Sequence, residues 1–159
     1  MEPSIKTLPE KQLVGKRLTM SFAVNKTFEL WRSFMPRLKE IQHRTGSELY
    51  SLEVYPPSFF ETYNPEAPFN KWAAVAVAHL DAVPEDMETL LIPEGLYAIF
   101  IHKGPASSGP ETYQYIFETW LPNSGFILDN RPHLAVMGDR YKHDDPSSEE
   151  ELLIPVKRK

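Results

Sequence analysis

The chain has 159 residues, a formal net charge of -5 and a pI near 5.5, with 42% hydrophobic and 12% aromatic residues. That length admits one domain with a full core, or two small halves sharing one. The acidic balance gives no basic footprint for direct DNA binding, and the absence of cysteine excludes disulfides, thiolate nucleophiles and Cys-zinc sites. No apolar run approaches the roughly 18 residues of a membrane span, and no signal-peptide core follows the N-terminus, so a cytoplasmic protein without a membrane partner is expected.

In chain order, residues 1 to 9 are polar and read as a lead-in. Leu18, Met20 and Phe22 alternate with polar residues and predict a first strand ending near Ala23. Asn25 to Thr27 then offers capping residues for an amphipathic helix with Trp31, Phe34, Leu38 and Ile41 on one stripe, and Pro36 predicts a kink within it. Tyr50 to Tyr55 alternates as a strand, with Tyr50, Leu52 and Val54 opposed to Ser51, Glu53 and Tyr55. The loop from Ser58 to Asn70 is rich in aromatics, including Phe59, Phe60, Tyr63 and Phe69, and is a candidate pocket rim. Lys71 to Leu80 is small and apolar and predicts a strand buried on both faces. Asp81 to Pro93 reads as a mid-chain connector.

The second half opens with the strand Leu96 to His102. A cap at Ser107-Ser108 followed by Pro110 and Glu111 then introduces a helix whose stripe is Tyr113, Ile116, Phe117, Trp120 and Leu121. Leu134 to Met137 is a short strand, and the last strand runs from Ser148 to Val156. In that strand the period of two sends Leu152, Ile154 and Val156 to one face and Glu151 and Leu153 to the other.

Both halves thus read strand, helix, strand, strand, and a shift of 79 positions superposes their patterns. Lys71 to Leu80 falls on Glu150 to Lys159, and Trp72 on Glu151. The expected architecture is α+β: one domain over 1–159, with pseudo-repeats at about 10–80 and 90–157 pairing as two βαββ modules. These form a pseudo-twofold antiparallel sheet with both helices on one face and a cleft on the other. In such a cleft the Trp72 indole and the Glu151 carboxylate suit a cationic aromatic ligand. Glu53, Tyr55, Phe60, Leu153 and the edge of Trp120 complete the expected lining.

The five histidines lack the i, i+4 spacing of a metal site, so neither a metal nor a cofactor is expected. Ser107-Ser108-Gly109 is better explained as a helix cap than as a phosphate loop, and there is no Gly-x-Ser-x-Gly elbow.

Three segments carry a family resemblance: Leu91-Ile92-Pro93-Glu94-Gly95-Leu96-Tyr97-Ala98-Ile99-Phe100-Ile101-His102-Lys103-Gly104-Pro105, Trp120-Leu121-Pro122-Asn123-Ser124-Gly125-Phe126, and Glu151-Leu152-Leu153-Ile154-Pro155-Val156. In this order they resemble the GyrI-like small-molecule, or effector, binding domains, which also occur fused to AraC-type and MerR-type bacterial regulators. The resemblance implies a tandem SHS2-like βαββ fold. It also implies a hydrophobic pocket whose buried glutamate, mapped to Glu151, recognises lipophilic and often cationic compounds. Where many members carry a Phe-Glu-x-Tyr segment, this chain has Leu134-Ala135-Val136-Met137. Two other readings are open: a hydrolase opening cyclopropane-bearing natural products with Glu151 and Glu53 as acid and base, and a modulator of DNA gyrase or of a partner regulator.

Overall fold

The computed structural model describes all 159 residues. Strands form where the alternation lies: β1 Ser4–Leu8, β2 Lys11–Met20, β3 Leu49–Val54, β4 Phe69–Ala76, β5 Glu88–Ile92, β6 Gly95–Lys103, β7 Phe126–Leu128, β8 His133–Met137 and β9 Glu149–Arg158. All join one antiparallel sheet in the order β1-β6-β9-β8-β3-β4-β2-β5, with β7 added beside β9. The order is symmetric about the β3–β8 pair: β6, β9 and β8 answer β2, β4 and β3. This is the pseudo-twofold α+β architecture that the repeated pattern predicts.

Two segments differ from the sequence reading. The lead-in contains β1, which pairs with β6 from Ser4↔Ile99 to Leu8↔Gly95. The mid-chain connector contains β5, which pairs with β2. Both are edge strands of five residues, and both have a mostly polar or half-buried pattern. An edge strand draws its order from a neighbour's free backbone groups, so its own side chains carry little periodicity.

The first helix, α1 (Thr27–Phe34), buries Leu30 and Phe34, worth roughly 1.5–3 kcal/mol each. At Met35–Glu40 the chain tightens into a 3-10 turn whose start holds Pro36, the physical form of the predicted kink. The second helix, α2 (Gly109–Tyr115), begins with Pro110 and Glu111 in its first turn, where a missing N–H and a negative charge are both tolerated. It continues as one π turn over Ile116–Trp120, closed by the Leu121 N–H donating to the Ile116 carbonyl at 2.8 Å. His102 pins α2 to β6: its Nδ1 is 2.7 Å from Thr112 Oγ1, and its Nε2 is 3.0 Å from the Pro105 carbonyl. Because a carbonyl can only accept, Nε2 carries a proton, and the Thr112 hydroxyl, able to donate or accept, satisfies Nδ1.

Register places both helices on one face. Paired residues share a face, so Leu49, Ser51 and Glu53 of β3 line up with Met137, Ala135 and His133 of β8. Ala73 of β4 lies beside Ser51, and Leu152 of β9 beside Ala135. On this face α1 packs with Val14, Ala73 and Val75, and α2 with Ala98, Phe100 and Ile154. Two separate clusters result, one under each helix.

The other face is a third core. Leu13, Leu52, Trp72, Tyr97 and Leu153 are buried there in one cluster, which also takes in Leu8 of β1 and Leu90 of β5 from the two sheet edges. The sheet curls over this face and fills it with its own side chains. The expectation of a cleft opposite the helices is therefore corrected. Both faces of β4 and β9 are apolar, and a sheet with two apolar faces must cover both.

Candidate functional site

Since each helix covers only its own half, a gap remains over the central strands β3 and β8. It is a cavity of about 1580 Å³, larger than the roughly 300–1,000 Å³ of a single drug-sized pocket. Ser51, Glu53, Lys71, Ala135 and Glu150 form its floor. Phe28, Trp31 and Met35 come from the α1 side, and Tyr113, Phe117 and Leu121 from the α2 side. Tyr55, Phe59, Phe60 and Tyr63 of the aromatic loop form a further wall. Phe28 and Tyr63 are 77% and 81% exposed, which puts them at the mouth.

The loop crosses from the first module to the second through aromatic contacts. Phe60 stacks on Phe117 at 5.5 Å and on His133 at 5.7 Å, and Phe117 stacks in turn on Tyr113 at 6.4 Å. Tyr55 meets His133 edge to face at 4.9 Å. These are favoured aromatic geometries, each worth about 0.5–1.5 kcal/mol beyond the area buried.

Charge in the cavity is concentrated on three side chains. Lys71 and Glu53 are cross-strand neighbours, and Lys71 Nζ donates to Glu53 Oε2 at 2.6 Å. Glu53 is only 7% exposed. Glu150 is half-buried and has no cation within ion-pair distance. Loss of hydration pushes the Glu150 carboxyl above the usual range; His102 and Lys71 pull it back, and Glu53 adds to the rise. Burial likewise raises the Tyr55 and Tyr113 phenols, with Glu53 reinforcing both. Both hydroxyls therefore stay protonated and can donate.

His133 is buried behind Phe60 and Phe117, and loss of hydration, then the Arg131 charge, lowers it from 6.5 to about 3. The unfolded chain binds its proton near 6.5 and the folded chain does not, so stability is complete above that value and declines as pH falls toward 3. The slope from this one site is about 1.4 kcal/mol per pH unit. In His133→Phe, which keeps the ring stack, urea midpoints between pH 6 and 4 are expected to fall less steeply than in the wild type; parallel slopes would refute the assignment.

Of the side chains that sequence reasoning pointed to, Glu53, Tyr55 and Phe60 line the cavity together. Glu151, Trp72, Leu153 and Trp120 do not. Trp72 and Leu153 are buried in the core on the opposite face, and Glu151 is exposed on that side, paired in register with Ile101 and Val136. Trp120, half-buried, packs edge-on against Phe100 at 5.2 Å and stacks on Phe126 at 6.2 Å, against the margin of the core under α2. The last-strand carboxylate in the cavity is Glu150, one residue earlier. Its signal was present in the sequence: it heads the row Leu152, Ile154, Val156, which faces the helices. Lys71 and Tyr113 were also missed as lining residues.

A large, mostly apolar cleft rich in aromatic side chains, with a few convergent polar groups, is the form of a small-molecule binding domain. The chain belongs to the GyrI-like family, whose model, a GyrI-like small molecule binding domain, matches residues 1–157. It is 27% identical over 158 residues to the transcriptional regulator BrlR of Pseudomonas aeruginosa, covering 98% of this chain and 56% of BrlR. The chain thus spans about half the length of that curated relative. Among solved structures, SAV2435 bound to tetraphenylphosphonium has a TM-score of 0.74 at 15% identity, covering 99% of this chain and 94% of that one. The EcmrR C-terminal domain has a TM-score of 0.70 at 20% identity, covering 99% and 98%. The structural likeness is one of fold. No helix is long and apolar enough to cross a membrane.

Proposed function

We propose that the cleft between α1 and α2 binds a lipophilic aromatic cation, with the aromatic walls supplying most of the affinity and Glu150 the charge selectivity. The observation that carries this reading is a half-buried carboxylate in an aromatic cavity with no cation of its own. His102 and Lys71 offset the lost hydration of this group only in part, and a ligand cation relieves the remainder. Glu53 has Lys71 as its partner, and Glu151 lies on the far face. Tyr55, Phe60 and Phe117 form the wall against which an aryl group stacks. The ligand-bound SAV2435 and the regulator BrlR support a role as the effector-sensing part of a regulatory system. The test is titration of the wild-type chain with tetraphenylphosphonium, read by tryptophan fluorescence, to which Trp31 in the cavity wall contributes beside Trp72 and Trp120. Saturable one-to-one binding, much tighter than that of neutral triphenylphosphine oxide, is expected; equal affinity for the two would refute it.

A second reading is favoured by one observation: two carboxylates of different character line one cavity with two protonated phenols. Glu53 is engaged by Lys71 at 2.6 Å, while Glu150 has no ion-pair partner and loss of hydration raises its carboxyl, and such unlike surroundings are how acid and base roles are divided. In a hydrolase of cyclopropane-bearing alkylators, Glu53 would take a proton from water as its oxygen bonds to a ring carbon; the strained C–C bond breaks, its electron pair passes into the conjugated carbonyl, and Glu150 or Tyr113 would protonate that carbonyl oxygen. Ring-opened product that disappears in Glu53→Gln would establish turnover, and unchanged substrate after long incubation would leave binding alone.

A further inference from the structure

Resting on the binding role proposed above, we infer that Lys71 sets the charge number of the ligand: it cancels one of two cavity carboxylates, so that the cleft takes a monocation and rejects a dication. The floor holds two acids and one base. Glu53 and Lys71 form a 2.6 Å pair whose side chains are 9% and 16% exposed, so it is closed off from solvent ions. That pair is internally neutral, and Glu150 is left as the one floor carboxylate with no ion-pair partner. The lining tyrosines are neutral, and the remaining acid and basic groups, Glu118, His143 and Lys159, are exposed at the rim, where water and salt screen them. Three side chains therefore give a desolvated sum of minus one.

The sum has consequences for selectivity. A monocation entering the cleft neutralises it. A second positive charge on the same ligand finds no free carboxylate, only Glu53 already engaged, with the Lys71 ammonium beside it. The volume does not exclude a longer ligand, since about 1580 Å³ exceeds what one drug-sized molecule needs. Charge, rather than size, makes the discrimination.

The test compares tetraphenylphosphonium with an alkane-bridged bis(triphenylphosphonium), by calorimetry, on four proteins. Wild type has a cavity sum of minus one, Lys71→Gln minus two, Glu53→Gln zero, and the double substitution minus one again. The monocation is expected to be preferred by the wild type, and the ratio to move toward the dication by about tenfold or more in Lys71→Gln. In Glu53→Gln, monocation affinity is expected to fall by about tenfold, although Glu53 is the carboxylate that already has a partner. The double variant is expected to recover the wild-type ratio. Glutamine at position 71 retains a donor for Glu53; should it still fail to fold, the Glu53→Gln and double variants carry the comparison. Absence of tetraphenylphosphonium binding to the wild type overturns the binding reading itself. Wild-type binding with a ratio unmoved by Lys71→Gln, or a Glu53→Gln affinity unchanged from wild type, overturns the Lys71 inference alone.

Discussion

Glu150→Gln is expected to weaken tetraphenylphosphonium binding by about ten- to a hundredfold, whereas Glu151→Gln leaves it within about twofold. The two residues are adjacent in β9 and point to opposite faces. Glu150 looks into the cleft between the helices, and Glu151 outward from the other side of the sheet. A unit charge at contact distance, in surroundings intermediate between water and the protein interior, is worth about 2–4 kcal/mol. Partial exposure of Glu150 brings that to about 1.4–2.7 kcal/mol, the range stated. Glutamine keeps the volume and the polarity, so the loss reports charge alone.

The pH dependence gives an independent check. The Glu150 carboxyl in the empty cleft takes up a proton at a higher pH than an ordinary carboxylate, because hydration is lost. A cation must compete with that proton. Wild-type affinity is therefore complete above the raised value and declines as pH falls through it, starting above the usual carboxylate range. The Glu150→Gln variant is expected to be flat over the same window. If instead Glu151→Gln removed binding and the pH dependence together, the face assignment of β9 would be wrong.

The contrast between these neighbours also explains what the sequence could and could not reveal. Alternation in β9 was legible, and so was the separation of Glu151 and Leu153 from Leu152, Ile154 and Val156. Which of the two faces is open depends on residues far away in sequence. The sheet curls over Leu13, Leu52, Trp72 and Tyr97 and closes that side, and the apolar character of those positions is itself plain in the sequence. The helix side stays open because α1 and the α2 helix with its π turn are short, each covering one three-strand half. Helix length against sheet width is a tertiary balance that no local period encodes. Glu53, Tyr55 and Phe60 were legible because one strand and its following loop carry all three, so a single local reading placed them together. Lys71 was read only as the start of an apolar strand, and its pairing with Glu53 follows from register between β3 and β4. The edge strands β1 and β5 were illegible for the same reason: each is defined by the neighbour it joins.

Register between β2 and β4 also governs the largest expected effect on stability. Gly15 lies mid-strand in β2, opposite Ala74 of β4 on one side and Glu88 of β5 on the other. A Cβ added there would overlap the Ala73 carbonyl oxygen and come within 2.7 Å of the Ala74 Cα. These are backbone atoms, and they cannot rotate aside as a side-chain tip can. Gly15→Ala must therefore push β2 away from β4 or break the ladder, at a cost of about 2–4 kcal/mol, and Gly15→Val adds two further carbons to the same space. Native stability of a domain of this size is about 5–15 kcal/mol, so the alanine variant is expected to fold with a lowered urea midpoint and the valine variant to be largely unfolded at 37 °C. Because β4 also carries Lys71, the displacement reaches the cleft floor. Gly15→Ala should thus weaken tetraphenylphosphonium binding even though Gly15 touches no part of the cavity lining. A Gly15→Val chain as stable as the wild type would show that β2 and β4 can separate freely, and that the close approach at Ala73 is not what holds the curl.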